Sequence, residues 1–115
     1  DNLLRQLAEI ILVNVRKDVD SGYRYGGDEF AVVLPHAKQQ QALMVADRLI
    51  RSFNRVSASS TGLSIGLATL QSSGETLKEN LESLIRRADQ ALYRAKTKGG
   101  DQVCIEPDGN ETTSN

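Results

Sequence analysis

The stretch Tyr23-Arg24-Tyr25-Gly26-Gly27-Asp28-Glu29-Phe30-Ala31-Val32-Val33-Leu34-Pro35 limits the fold more than any other part of this chain. A short aromatic segment, a glycine pair and an apolar run ended by proline read as a β-hairpin whose second strand is fully buried. The tip combines little steric bulk with concentrated negative charge. Glycine lacks a Cβ, so Gly26 and Gly27 can take positive φ and let a phosphate approach the backbone N–H groups. Asp28 and Glu29 add hard oxygen ligands of the kind Mg²⁺ prefers. Consecutive side chains on a regular strand point to opposite faces, so both carboxylates reach one site only if at least one lies in the turn. The same residues also read as a solvated turn whose acids keep a sheet edge soluble.

Helices flank this hairpin. Leu4, Leu7, Ala8, Ile11 and Val15 recur at helical spacing and predict an amphipathic helix that runs to about residues 16–18. After Pro35, the residues Ala42, Val45, Ala46, Leu49, Ile50 and Phe53 share one helical face, opposite Gln39, Asp47, Arg48 and Arg51. Over residues 61–70 the period changes to two, with Leu63, Ile65 and Leu67 alternating with Gly62, Ser64, Gly66 and Ala68. The small face either packs closely against a helix or leaves room for a ligand. A polar loop at 71–76 leads to a third helix through Leu81, Leu84, Ile85, Ala88, Ala91, Leu92 and Ala95, stopped by Gly99-Gly100, with Arg86 and Arg87 on a solvated face. A short strand comes next at Val103 to Ile105. Residues 107–115 are small and polar and read as a disordered tail. The element order predicts one α+β domain over residues 1–106, a sandwich of helices on a mainly antiparallel sheet.

Charge and composition exclude several functions. Lys plus Arg (14) nearly balances Asp plus Glu (15), so no overall field draws the chain to nucleic acid or an anionic membrane. Aromatic residues are 4% of the chain, with no Trp, which argues against a base-stacking platform. Cys104 is the one cysteine, and no apolar run is long enough to cross a bilayer, so a reducing, cytoplasmic setting without membrane insertion is expected. His36, also solitary, reads as a surface residue at a strand end.

The hairpin string resembles the signature of the GGDEF domain family, the bacterial diguanylate cyclases. Three further segments agree in order: Asp1 with the helix start at Leu4 to Ala8, then Leu63-Ser64-Ile65-Gly66-Leu67, then Arg87-Ala88-Asp89-Gln90-Ala91-Leu92-Tyr93-Arg94-Ala95-Lys96. The resemblance implies a ferredoxin-like, nucleotidyl-cyclase-like fold. It also implies GTP and Mg²⁺ (or Mn²⁺) as substrate and cofactor, and a homodimer that condenses two GTP into cyclic di-GMP and two pyrophosphates. On the matching positions, Asp28 would be the base or a metal ligand and Glu29 a metal ligand. Gly26 and Gly27 would line the phosphates, Lys96 would contact the terminal phosphates, and Asp1 would recognise guanine. A sensor module on the N-terminal side is implied as well. Two other roles remain open on the same residues: a catalytically silent module that binds GTP or cyclic di-GMP, and a domain that keeps only the fold.

Departures from the family pattern carry expectations of their own. The family's opening strand and helix, which bring another metal-binding Asp and a guanine-reading Asn, have no counterpart in this sequence. The strands flanking the central slot would then close on each other, or a second chain would fill it. Gly100 replaces a phosphate-facing Arg. At the family's product-inhibition motif, Arg-x-x-Asp, this chain has Lys17-Asp18-Val19-Asp20. Lysine cannot reproduce the planar fork of arginine, so feedback binding of cyclic di-GMP through Lys17 and Asp20 would be weakened. Arg48 is the candidate for a secondary product site.

Overall fold

The computed structural model describes residues 2–17, 20–26, 29–35, 37–56, 62–70 and 76–106, with backbone alone at 2, 3, 22–26, 29 and 30. Seven elements succeed one another: α1 (Asn2–Asn14), β1 (Ser21–Gly26), β2 (Glu29–Val33), α2 (Gln39–Val56), β3 (Ile65–Leu67), α3 (Leu77–Thr97) and β4 (Val103–Ile105). Contacts divide the chain into two compact units, residues 1–63 and 64–115.

In the first unit, apolar spacing along α1 places Leu7, Ile10 and Ile11 on one buried face, and α2 does the same with Ala46, Leu49 and Phe53. The two helices pack together, and α1 also touches β1. Burying one large side chain such as Phe53 stabilises by about 1.5–3 kcal/mol. Arg48 on α2 ties the helices at their ends. Its Nη2 donates to the Asn14 carbonyl at 2.9 Å and its Nε to Asn14 Oδ1 at 3.3 Å, so a cation meets an orphan carbonyl at the α1 C-terminus. The strand read as fully buried is only partly so. Ala31 and Val32 are half-buried and Val33 is 45% exposed, since β2 belongs to a ribbon of two strands.

In the second unit β3 and β4 pair in parallel, Ile65 against Val103 and Leu67 against Ile105. Parallel neighbours need a long crossover, and α3 supplies it. The helix begins with a capping box at the end of the expected polar loop: Thr76 Oγ1 accepts from the Glu79 N–H, and Glu79 Oε1 accepts from the Thr76 N–H, both at 3.1 Å. It ends in a Schellman arrangement, with the Gly100 N–H on the Ala95 carbonyl (2.9 Å) and the Gly99 N–H on that of Lys96 (3.2 Å). Gly99 (φ 112°) and Gly100 (φ 77°) take the left-handed turn this needs. A Cβ on Gly66 would run into the Ala88 carbonyl oxygen and the Leu92 backbone nitrogen, so at Gly66 the small face of β3 is filled by α3. Close packing, not ligand room, is the reason for that glycine.

The chain is an α+β protein. The hairpin is the antiparallel part, and β3–β4 is the parallel part. The closing of the hairpin's second strand on the 61–70 strand is not among the pairings of the described residues, which are β1 with β2 and β3 with β4. Strand β3 is three residues long, not ten, since β4 offers three partners.

Candidate functional site

The β1–β2 ladder runs from Ser21 opposite Val33 to Gly26 opposite Glu29. Between Arg24 and Gly26 the register shifts, and Tyr25 is the additional residue on β1. Such a bulge sharpens the local twist and re-aims the residues beyond it. Only residues 27 and 28 stand between the two paired ends, as a tight glycine-containing connection requires. Glu29 opens β2, and Gly26 closes β1. Gly27 and Asp28 themselves, with Asp1 and His36, lie outside the described residues, as does the expected tail at 107–115.

At the opposite end of the ribbon the structure places a cluster that spacing alone did not single out. Arg16 grips Asp20 with its guanidinium edge: Nη2 to Oδ1 at 2.7 Å, and Nε to Oδ1 and Oδ2 at 3.1 and 3.0 Å. The Arg16 N–H donates to Asp20 Oδ2 at 2.7 Å, and Nη2 also donates to the Pro35 carbonyl at 2.7 Å. The Asp20 side chain is 2% exposed and that of Arg16 52%. Hydrogen bonds from Arg16 outweigh desolvation and hold the Asp20 carboxyl below its ordinary value. Lys17, one residue on, is exposed. Asp20 is thus engaged by Arg16 and not by Lys17, and the Arg48 fork is engaged by Asn14. The i, i+4 spacing of Arg16 and Asp20 was the signal that could have found the first pair.

Lys96 lies in the last turn of α3 and is exposed. Arg87, read from sequence as solvated, is half-buried: its Nε donates to Ser83 Oγ at 3.1 Å, and Nη1 and Nη2 are covered with no partner among the described residues. Its place one turn before buried Ala91 explains the difference. Two turns on, Arg94 is satisfied by Glu106 (2.9 Å) and the Ile105 carbonyl (2.8 Å). A shallow depression of about 750 Å³ on α3, lined by Ile85, Asp89, Tyr93 and Glu106 among others, contains none of the predicted site residues. Among the described residues no three His, Cys, Asp or Glu side chains gather to hold a cation. None of the helices among them is long and apolar enough to cross a membrane.

Comparison with known proteins fixes what these elements are. Residues 1–102 match the family described as diguanylate cyclase, GGDEF domain. The chain belongs to the GGDEF family. Diguanylate cyclase VdcA of Vibrio cholerae serotype O1 is 37% identical over 108 residues, covering 90% of this chain and 31% of VdcA. Diguanylate cyclase DosC of Escherichia coli (strain K12) is 35% identical over 109 residues, 90% of this chain and 23% of DosC. The structure of an EAL/GGDEF domain protein from M. capsulatus superposes with a TM-score of 0.73 at 32% identity, over 94% of this chain and 70% of that one. This GGDEF chain has the α+β, nucleotidyl-cyclase-like fold of those structures. It spans under a third of the length of the curated relatives it matches.

Proposed function

We propose that this GGDEF domain is the catalytic part of a diguanylate cyclase that joins two GTP into cyclic di-GMP, releasing two pyrophosphates, with one nucleotide held by each of two facing copies. The observation that carries the reading is the backbone register of the hairpin, which puts Gly26 opposite Glu29 with only Gly27 and Asp28 between them. It supports the reading because two adjacent acids can serve one site only if at least one leaves the ladder, and the paired residues end at Glu29. Asp28 and Glu29 would hold Mg²⁺ or Mn²⁺, and their hard oxygens suit either ion. When bound, the cation neutralises charge on the phosphate oxygens. Gly26 and Gly27 leave the phosphates close to backbone N–H groups, Asp1 recognises guanine, and Lys96 contacts the terminal phosphates from the end of α3. Asp28 accepts the proton of the attacking ribose 3′-hydroxyl or ligates the cation. Alignment of that hydroxyl with the α-phosphorus of the opposing GTP is then the main contribution of the chain. The reading places the domain in the bacterial cytoplasm, under the control of a sensor module.

A second reading, a silent module that binds GTP or cyclic di-GMP, draws on Gly100. Gly100, at φ 77°, stands where the family has a phosphate-facing Arg, so that contact to the phosphates has no counterpart at this position. The test is product mass after incubation with GTP and Mg²⁺. Cyclic di-GMP is expected from the wild type and loss of at least ~100-fold in Asp28→Ala and Glu29→Ala. A GTP-dependent thermal shift without product favours the silent module, and neither shift nor product leaves an interaction domain that keeps the fold alone.

A further inference from the structure

We infer that Arg16 is a positioning residue for the hairpin: it closes the open end of the β1–β2 ribbon and so fixes where the tip lies. This rests on the reading of the tip as the catalytic hairpin. Asp20 is the residue immediately before β1, and Pro35 lies two residues past the end of β2. One guanidinium holds both, through Asp20 Oδ1 and Oδ2 on one side and the Pro35 carbonyl on the other. The Asp20 N–H on the Arg16 carbonyl (3.0 Å) and the Arg16 N–H on Asp20 Oδ2 (2.7 Å) lock the segment that carries Arg16 to the same point. Lysine could not do this, because one ammonium has no planar edge to divide between a carboxylate and a carbonyl.

Geometry gives the clamp its consequence. A two-stranded ribbon is marginal by itself, so its direction depends on its contacts with the rest of the unit, which include α1 against β1 and the clamp at its base. Five residues separate the Ser21–Val33 rung from Gly26, about 16 Å of strand. A rotation of about 5° at the base therefore displaces the tip by roughly 1.4 Å over that length. A misplacement of about 1 Å in a reacting group can lower turnover ~100-fold. A surface ion pair adds little to stability, but one placed at the base of this lever acts on alignment.

The test compares Arg16→Gln, Arg16→Lys and Asp20→Asn in the protein by two readouts. Turnover of GTP should fall by about tenfold or more in kcat for Arg16→Gln, with KM for GTP moving by less than about threefold, and Arg16→Lys should restore little of it. Amide exchange should quicken across residues 21–33 in all three variants and stay unchanged in β3 and β4. Wild-type kcat in Arg16→Gln overturns the inference. So does a loss of kcat with unaltered exchange across the hairpin, which would place the effect elsewhere. If the wild type makes no cyclic di-GMP, the functional reading fails while the exchange comparison still decides whether Arg16 holds the ribbon.

Discussion

Arg16 and Arg87 carry the same side chain in opposite circumstances. Arg16 is half exposed and engaged through Nε and Nη2, whereas the Arg87 terminal nitrogens are covered and have no partner among the described residues. Asp20 makes the first case measurable. Its carboxyl sits below the ordinary value near 3.8, mainly through the Arg16 hydrogen bond. A carboxyl depressed in the folded state contributes stability that is complete above the unfolded value and is lost as pH falls through the folded one. The difference in stability between wild type and Asp20→Asn should hold steady from about pH 5 to 8 and close below about pH 4, as read by urea midpoints. A difference that persists at the acid end would mean the carboxylate charge is irrelevant. For Arg87 the expectation runs the other way: Arg87→Met removes two uncompensated nitrogens and keeps the length of the stem, so its midpoint should equal or exceed that of the wild type. A loss greater than about 1 kcal/mol would show that the guanidinium has a partner.

At the scale of elements, the parts fixed by local chemistry were legible, the hairpin pairing included, and the pairing of β3 with β4 was not. Apolar spacing located all three helices, and the valine-rich and glycine-flanked signals located the hairpin and β4, the latter at Val103–Ile105 to the residue. The start of α3 has a capping box at Thr76 and Glu79, which the reading of a polar loop up to Thr76 passed over. What spacing could not reveal was the partner of β3, because a period of two specifies a face and not a neighbour. Nor could it show that Arg87 lies at the edge of the face that buries Ala91. The pairing of Asp28 with Glu29 is a reading of the string alone, with Asp28 outside the described residues, while the clamp at Arg16 needed coordinates, since Pro35 is 19 positions away. Gly66 gives the sharpest test of the β3–α3 contact. Its missing Cβ leaves space taken by backbone of Ala88 and Leu92, which cannot swing aside as a side chain can. Gly66→Ala should therefore lower the unfolding free energy by about 3 kcal/mol, the upper end for overpacking, in chemical denaturation. A loss under about 0.5 kcal/mol would mean helix and strand stand further apart.

For the whole molecule, membership in the GGDEF family rests on the match over residues 1–102, whereas the proposed reaction calls for two copies. If each copy brings one GTP, specific activity must depend on protein concentration. Dilution below the dissociation constant of the pair should reduce product formed per chain in proportion to concentration, and a flat profile would indicate that one copy suffices. The proposed reaction depends most on the hairpin tip presenting its adjacent acids to a nucleotide-bound divalent cation. Mn²⁺ reports this directly, because its electron paramagnetic resonance signal diminishes when the ion leaves bulk water for a protein site. With GTP present, the wild type should take up Mn²⁺ beyond what GTP alone binds, and Asp28→Asn and Glu29→Gln should abolish that excess. Undiminished uptake in both variants would contradict the central claim.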